Sequence, residues 1–242
     1  MSIPVYITGD MHGWIRKRAD RLKNMGKLAL IVLGDACFDY YLDEREEKYK
    51  AAICKTYPDI TWYLVRGNHE ARPEHLNNAE IFYDDIVGGN VYIVPQYPNI
   101  RYFIDGYGYY IGQYSCLVLG GAYSVDKNYR LMMGYKWFAD EQLTKEEMNK
   151  ISEKCDGSRY DLILAHTCPY SYRPTHLFLQ GIDQTGVDNT MEIWMEELIQ
   201  NIDFHTFCFG HYHGDELIKD KGLMLYEKII TIDDAYNREL GE

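Results

Sequence analysis

Five short apolar runs in this chain are each followed at once by polar side chains that can bind a metal ion. The runs are residues 3–7, 28–33, 62–65, 162–165 and 207–209. Such runs are typical of buried β-strands. The polar side chains that follow them are, in chain order, Asp10, His12, Asp35, Asn68, His69, His166, His211 and His213. In α/β sheets functional groups gather beyond the carboxyl ends of the strands, so we expect these residues to meet in one crevice.

Helix-like segments lie between these predicted strands in both halves of the chain. The amphipathic, helix-like segments are residues 14–26, 43–57, 73–81, 143–154 and 191–201. The remaining segments, residues 91–119 and 215–233, are predicted as short strands, with a tight hairpin at Gly106 and Gly108. Helical crossovers on both sides of a strand-rich centre favour an α/β fold with two stacked sheets covered by helices.

The composition is typical of a globular protein with one larger domain that spans residues 1–242. Hydrophobic residues make up 46% of the chain, but no run approaches the length of a membrane span. The first predicted strand begins at residue 3, which leaves no room for a signal peptide. The six cysteines show no CxxC spacing, which favours free thiols in a reducing compartment. We therefore expect a cytoplasmic protein with no membrane contact.

The formal net charge of −12 argues against long nucleic acid as a substrate or partner. Proteins that bind the nucleic-acid backbone normally present a basic face, whereas lysine and arginine are dispersed along this chain. The charge is compatible with a small phosphoester substrate, because bound cations would set the local field at the site. The sequence does not indicate an oligomeric state.

The predicted ligand set suits two divalent cations better than one. A carboxylate between two cations can bridge them at about 3.5–4 Å, the separation typical of two-metal hydrolytic sites. Mixed oxygen and nitrogen ligands favour manganese, with iron, zinc and nickel as alternatives, over magnesium or calcium. Cys37 and Cys168 could bind zinc as thiolates, but the oxygen and imidazole ligands already suffice. Asp10 and Asp35 could instead cap helices, and a lone histidine such as His166 is more often a core residue than a ligand.

The same segments, in the same order, resemble the motifs of calcineurin-like metallophosphoesterases. The matching motifs are Asp10-x-His12, Gly34-Asp35, Gly67-Asn68-His69-Glu70, His166 and Gly210-His211-x-His213. The resemblance implies a four-layer α/β/β/α sandwich of two stacked mixed sheets flanked by helices, with a dinuclear metal centre. By position, it implies that the first metal binds Asp10, His12 and His213, the second binds Asn68, His166 and His211, and Asp35 bridges them. It gives His69 a catalytic role at the leaving group or the phosphate, without a metal.

This resemblance implies hydrolysis of a phosphomonoester or phosphodiester by a hydroxide that bridges the metals. Serine/threonine phosphatases of the superfamily usually show Gly-Asp-x-x-Asp-Arg-Gly, whereas residues 34–40 here read Gly-Asp-Ala-Cys-Phe-Asp-Tyr. They also lack a second histidine after Gly-His, where this chain has His213. The departures favour the phosphodiesterase-like and nuclease-like branches over the serine/threonine phosphatase branch, and we take the phosphodiesterase-like branch as the prediction. A serine/threonine-type protein phosphatase and a non-catalytic metal-binding scaffold of the same fold are the alternatives, although a scaffold would be expected to lose ligands.

Three cations are candidates for contact with the substrate. Arg66 precedes Gly67, as in the serine/threonine phosphatases, and Lys127 and Arg130 lie in a loop that follows the apolar run 116–119. Two glycines, Gly120 and Gly121, would let that loop approach a ligand closely, although its charges could simply pair with nearby acids. Tyrosines that flank the motifs could stack an aromatic group or occupy ordinary amphipathic positions, and they are Tyr170, Tyr172 and Tyr212.

Overall fold

The computed structural model describes residues 3–181 and 184–241 as an α/β protein built from two mixed β-sheets. The strands within those residues are β1 (Val5–Thr8), β2 (Leu28–Leu33), β3 (Ile60–Val65), β4 (Glu80–Asp84), β5 (Gly89–Ile93), β6 (Ile100–Tyr102), β7 (Gly108–Ile111), β8 (Tyr114–Leu119), β9 (Arg159–Ala165), β10 (Asp203–Phe209), β11 (Glu216–Ile218), β12 (Gly222–Met224) and β13 (Ile229–Thr231). The α-helices of the same residues are α1 (Ile15–Leu22), α2 (Glu44–Thr56), α3 (Lys127–Met133), α4 (Lys145–Cys155), α5 (Thr190–Asn201) and α6 (Ile232–Asn237).

Each sheet has a parallel centre and antiparallel edges. The larger sheet pairs its strands in the order β13-β1-β2-β3-β6-β5-β4, and the smaller sheet in the order β11-β12-β10-β9-β8-β7. Strands β1, β2 and β3 run parallel, as do β8, β9 and β10. Leu33 pairs with Val65, and Phe209 pairs with Ala165, so neighbouring strands end at the same level. The carboxyl ends of three adjacent parallel strands therefore lie together in each sheet.

Apolar side chains fill three core layers, which gives the α/β/β/α order. The inner layer lies between the sheets and includes Ile31 and Leu164. The outer face of the larger sheet packs against α1 and α2 through residues such as Ile15, and the outer face of the smaller sheet packs against α4 and α5 through residues such as Met195. All the residues of β2 are apolar and buried, as expected for a parallel strand that is covered on both faces. The predicted sandwich is confirmed.

The helices begin at clear local signals. Helix α1 places Ile15, Ala19 and Leu22 on one buried face, the spacing expected of an amphipathic helix. Asp43 caps helix α2, because its carboxylate accepts the N–H groups of Arg45 and Glu46. Helix α4 is capped by a Thr144–Glu147 capping box. In the described part of the chain, no helix is long and apolar enough to cross a membrane.

The helix predicted for residues 73–81 is wrong. Pro73–His75 forms a single 3₁₀ turn, and Asn78 has a left-handed conformation with φ of 60°, which ends any helical continuation. The residues from Glu80 onward pair instead with β5 as strand β4, because Ile81, Phe82 and Tyr83 are β-branched or aromatic.

The hairpin predicted at Gly106 and Gly108 is also wrong. Gly106, with φ of 72°, lies in the connection that leaves the larger sheet after β6 and enters the smaller sheet at β7. The hairpin joins β7 to β8 and turns at Gly112, where φ is 65°. The short helices α3 and α6 are not predicted by the sequence pattern, and α6 begins within the segment predicted as strands.

Candidate metal centre

The predicted metal-binding side chains converge where the carboxyl ends of the two sheets meet. The ligand cluster, as we name it, consists of Asp10 and His12 after β1, Asp35 after β2, Asn68 after β3, His166 after β9, and His211 and His213 after β10. Asp10, His12 and His213 offer ligand atoms within 4.8 Å of one another, and so do Asp10, Asp35 and His166. The rings of His166 and His211 lie 5.0 Å apart between centroids. Both sheets therefore contribute to one cluster.

Two carboxylates form the buried floor of the ligand cluster. Asp10 and Asp35 are each only 1% exposed. Oδ1 of Asp10 accepts the backbone N–H of His211 at 2.6 Å, and Oδ1 of Asp35 accepts the backbone N–H of His69 at 2.8 Å. Each bond joins the ends of two different strands. Neither carboxylate caps a helix, since α1 begins after Trp14 without a side-chain cap and α2 begins at Asp43. The backbone bonds leave the Oδ2 atoms of both residues directed at the histidines.

The Oδ2 atom of Asp35 lies at the centre of the site. It is 3.7 Å from Nε2 of His166, 3.8 Å from Nε2 of His69 and 4.0 Å from Nε2 of His12. These separations are too long for hydrogen bonds, and those to His166 and His12 suit ligands that share a cation. His166 and His12 come from different sheets, so Asp35 lies between ligand atoms of both sheets.

The Oδ2 atom of Asp10 is a buried oxygen that has no hydrogen-bond partner. It lies 3.4 Å from Nε2 of His213 and 3.6 Å from Nε2 of His12, and those two nitrogens are 2.7 Å apart. A buried carboxylate oxygen without a partner is costly, and a cation at the point where these three atoms converge would satisfy it. The donor set therefore fits a bound metal.

Nε2 of His166 and Oδ1 of Asn68, which come from different sheets, face each other. Nδ1 of His166 donates to the carbonyl oxygen of Leu33 at 2.8 Å, so its Nε2 has a free lone pair. The Asn68 amide donates through Nδ2 to Ser124 Oγ at 2.8 Å, which turns Oδ1 towards the same Nε2 atom, also at 2.8 Å. Two acceptors at this distance require a cation or a proton between them. Asn68 and His166 therefore also fit a metal.

Ser124 and Glu141 support Asn68 from behind, and sequence reasoning missed both as functional residues. The Ser124 hydroxyl donates to the Glu141 carboxylate at 2.5 Å, and the Ser124 N–H donates to the same carboxylate at 2.9 Å. This leaves the oxygen of Ser124 as an acceptor for Asn68. Ser124 follows strand β8, which carries no recognised ligand motif, so the only signal in the sequence is that it also follows an apolar run.

Four of the seven residues of the ligand cluster occupy backbone conformations that side chains rarely adopt. The angle φ is positive at His12 (42°), Asp35 (47°), His211 (65°) and His213 (55°). Such conformations cost about 1–3 kcal/mol each and cluster at functional sites. Their concentration here supports a functional reason for the local geometry.

Glycines in the motifs allow the strand-end segments to approach one another closely. A Cβ atom at Gly67 would lie 2.0 Å from Asp35 Oδ1, and one at Gly210 would lie 2.1 Å from Asp10 Oδ1. Any other residue at either position would displace a carboxylate of the ligand cluster. This contact explains why a glycine precedes the polar residues at these two strand ends.

The surroundings of Asp10, Asp35 and His211 favour the protonation states that bind metals, whereas burial lowers the pKa of His12 but Asp10 and Asp35 raise it above its ordinary value. Burial raises the pKa of Asp10 and of Asp35, but the neighbouring histidines, above all His166, hold both below their ordinary values. Burial, with the nearby His166, lowers the pKa of His211 to about 3. Carboxylates and neutral imidazoles are the forms that bind metals. Glu70, next to the cluster, has its pKa raised to about 8 by burial and by the charge of Asp35.

His69 and Arg130 lie together at the edge of the ligand cluster. Nε2 of His69 is 3.1 Å from Nη2 of Arg130, whose Nε atom donates to Asp126 at 2.8 Å. Burial lowers the pKa of His69, and the charge of Arg130 lowers it further against the opposing effect of Asp35. The helix α3 thus places a predicted cation beside the predicted catalytic histidine.

The other two predicted cations contact protein groups. Arg66 is buried, and its guanidinium donates to the Asp105 carboxylate and to the carbonyl oxygens of Glu141 and Gly120, at 2.9, 2.7 and 3.3 Å. These contacts give Arg66 a structural role behind the cluster. The ammonium of Lys127 lies 4.1 Å from the centre of the Trp137 ring, a cation–π contact on the surface of α3.

The cysteines near the site are free thiols. Burial raises the pKa of Cys37 and of Cys168, which disfavours the thiolate that zinc would need. Neither belongs to the groups of ligand atoms found within the described residues. Oxygen and nitrogen ligands alone form the cluster.

One known protein family matches the part of the chain that carries these residues. The model of the calcineurin-like phosphoesterase family matches residues 3–215, which include every residue of the ligand cluster. No curated protein matches the chain.

Proposed function

Because this chain belongs to the calcineurin-like phosphoesterase family, we propose that it hydrolyses phosphoester bonds with the help of two divalent metal ions. Members of this family are generally metal-dependent phosphoesterases with a dinuclear centre. The observation that carries the proposal is the convergence of histidine nitrogens from both sheets on Asp10 Oδ2, a buried oxygen without a hydrogen-bond partner.

The ligand cluster divides into two sets around one shared carboxylate. Asp10, His12 and His213 would hold the first ion, Asn68, His166 and His211 would hold the second, and Asp35 would contact both. Divalent ions in such a site neutralise phosphate charge and lower the pKa of bound water. The mixed oxygen and imidazole set favours manganese, with iron, zinc and nickel as alternatives.

The residues at the edge of the cluster would act on the substrate. Arg130 would bind a phosphate oxygen through its guanidinium, and its bond to Asp126 fixes its position. His69 Nε2 accepts from Arg130 in this structure, and once a phosphate oxygen takes over that guanidinium it would be free to carry a proton to the leaving oxygen. The phosphate group of the small phosphoester substrate would thus be held by the charge of Arg130, and its leaving oxygen would be protonated by His69.

Residues 37–42 support a phosphodiesterase-like enzyme over a serine/threonine protein phosphatase. Asp39 is buried and binds the Lys50 ammonium at 2.5 Å and the Tyr102 hydroxyl at 2.6 Å, so its carboxylate serves the core. In register with the phosphatase motif, Asp39 itself stands where the phosphatases carry their phosphate-binding arginine. The cation at this site comes instead from Arg130, on a different element.

The test is the hydrolysis of a substrate panel by metal-free and manganese-loaded protein. The panel compares p-nitrophenyl phosphate, bis-p-nitrophenyl phosphate, cyclic nucleotides, nucleotides and a phosphopeptide, with bound metal measured by elemental analysis. We expect two metals per chain and metal-dependent turnover of phosphoesters. Loaded protein that hydrolyses none of them would instead support a non-catalytic scaffold, and faster turnover of the phosphopeptide than of any diester would contradict the diesterase branch.

Paired variants test the shared carboxylate. Asp35→Asn should weaken both metal sites, whereas Asp10→Asn should weaken the first alone and leave some activity at high manganese concentration. Asp59→Asn, an exposed aspartate at the amino end of β3, opposite the end that carries Asn68, is the control and should bind two metals. If Asp35→Asn stays fully loaded and active while Asp10→Asn is inactive, the assignment of the bridge is wrong.

A further inference from the structure

A cleft of about 730 Å³ opens beside the ligand cluster on the side of His12 and His69. Three separate segments bring tyrosines to its walls: the loop after β2, helix α2 and the loop after α3. These tyrosines are Tyr40, Tyr41, Tyr49 and Tyr135. A volume of this size is in the range of small-molecule sites. We name it the tyrosine cleft.

The charges in the tyrosine cleft suit an anionic substrate. Arg45 and Arg130 line it, while the aspartates they pair with, Asp43 and Asp126, do not. The carboxylate of Glu46 is occupied by the N–H groups of three consecutive residues, 40–42. A second cleft of about 320 Å³, beside His211, is lined instead by three acids and one arginine, which are Asp126, Asp188, Glu192 and Arg173. Among the described residues that line these two clefts, an anion is better matched by the first.

Two of the tyrosines in the cleft keep exposed ring surface. Tyr40 and Tyr41 pack edge to face with centroids 4.8 Å apart, and the Arg45 guanidinium lies 4.8 Å from the centre of the Tyr41 ring. Tyr41 and Tyr135 remain 56% and 51% exposed, so ring surface is available for stacking. The phenol hydroxyls and the guanidinium groups make the wall unsuitable for a purely aliphatic chain.

The position of His69 decides which part of the substrate would occupy the cleft. His69 lines the tyrosine cleft and would protonate the leaving oxygen, so the leaving group must lie on this side of the phosphorus. We infer that the tyrosine cleft binds a planar aromatic group, of a nucleoside or of an aryl alcohol, in the leaving group of a small phosphoester. This inference rests on the proposed function. Hydrolysis would form a bond between phosphorus and a water oxygen and break the bond to the leaving oxygen, which would take its proton from His69 while the proton lost by water restores His69.

Matched substrates isolate the aromatic contact. Adenosine 5′-monophosphate and ribose 5-phosphate present the same leaving oxygen and differ by the base, and the corresponding methyl diesters serve if the enzyme cleaves only diesters. Benzyl phosphate and cyclohexylmethyl phosphate form the aryl pair. Stacking of one base contributes about 1–3 kcal/mol, so we expect kcat/KM to favour the aromatic member of at least one pair by about 5–150-fold. The pair that shows the preference identifies the source of the aromatic group.

Variants then assign the preference to the cleft. Tyr41→Leu and Tyr135→Leu should reduce the preference mainly through KM, whereas Tyr41→Phe and Tyr135→Phe, which retain a ring, should keep it. Tyr110→Leu is the control, because Tyr110 is 70% exposed on β7 and does not line the cleft. Equal rates for both members of both pairs would overturn the inference, as would a preference that neither leucine variant changes.

A binding measurement separates this inference from the proposed function. If the manganese-loaded protein hydrolyses no phosphoester, the proposed function fails, and calorimetry with the same compounds still tests the cleft. Tighter binding of adenosine 5′-monophosphate than of ribose 5-phosphate, lost in Tyr41→Leu, would support the aromatic site. Equal binding of the two compounds, together with equal binding of the aryl pair, would refute it.

Discussion

His69 is the histidine of the site whose role differs most from that of its neighbours. Its ring contacts the Arg130 guanidinium as well as Asp35, whereas the other histidines face carboxylates, an amide or each other. Replacement by alanine should therefore leave both metals bound and lower the rate by about 10²–10⁴-fold, the usual contribution of a general acid. Elemental analysis and steady-state kinetics measure the two effects. The exposed His75, replaced in the same way, is the control, and loss of metal from His69→Ala would show that His69 is itself a ligand.

Ser124 offers a second test at the level of single contacts, because it fixes which atom of the Asn68 amide faces the cluster. Ser124→Ala removes the acceptor for Nδ2, so the affinity for one of the two metals should fall by about 10–100-fold, as for other residues that orient ligands. Ser124→Thr keeps the hydroxyl and should restore binding.

Ser115 is the matched control for this variant. Its hydroxyl donates to the Asp161 carboxylate at 2.8 Å, elsewhere on the same strand-and-loop segment. Ser115→Ala should leave both affinities unchanged in a manganese titration. If Ser124→Ala also binds both metals normally, Ser124 does not position Asn68.

At the scale of elements, the loop of residues 40–42 is held by one side chain of α2. The Glu46 carboxylate accepts N–H groups from Tyr40, Tyr41 and Leu42 at 2.7, 2.9 and 2.7 Å. Glu46→Ala leaves these donors without acceptors and should lower the free energy of unfolding by about 1–3 kcal/mol. Denaturant unfolding measures this change. Glu47→Ala, an exposed neighbour on the same helix, should change it little, and equal effects of the two variants would contradict the role of Glu46.

The strands and the main helices could be predicted because their signals are local. An unbroken apolar run such as β2 and a capped amphipathic helix such as α4 each contain their own evidence. Helix α3 could not be predicted in this way, since it buries none of its residues and shows no apolar face turned to a core. The segment after Pro73 misled the prediction because the partner that makes residues 80–84 a strand, β5, lies beyond a turn.

The ligand motifs could be recognised in the sequence, whereas their supports could not. A strand-end position and a metal-binding side chain identify residues such as His166 directly. The hydrogen bond from Asn68 to Ser124 joins residues 56 positions apart, and the bond from Ser124 to Glu141 joins residues 17 positions apart. Neither spacing leaves a local signal in the sequence. Arg66 was predicted as a substrate contact from its place before Gly67, but its three protein acceptors become visible only once distant segments pack together.

For the whole molecule, metal binding should raise thermal stability. Native protein binds the ions through groups that are brought together only by folding, so the ligands stabilise the folded state by mass action. At a free manganese concentration of about one hundred times Kd, the gain is about 2.7 kcal/mol, or a rise in Tm of about 5–10 °C for a protein of this size. Calorimetry with manganese and with a chelator measures it. Asp35→Asn should lose most of the rise and Asp59→Asn should keep it, and a Tm that does not respond to manganese would contradict the metal centre.

The division of the ligand cluster between the two sheets also affects how the native state opens. Asp10 and His213 are separated by most of the chain, yet their ligand atoms lie 3.4 Å apart at the seam between the sheets. An ion bound by both acts as a reversible cross-link between β1 and β10, so the sheets cannot slide apart until it dissociates. Amide hydrogens on both strands should then exchange with solvent at one common, slower rate when metal is present. Without the ion this cross-link is missing, so the two sets of amides should exchange faster and at separate rates.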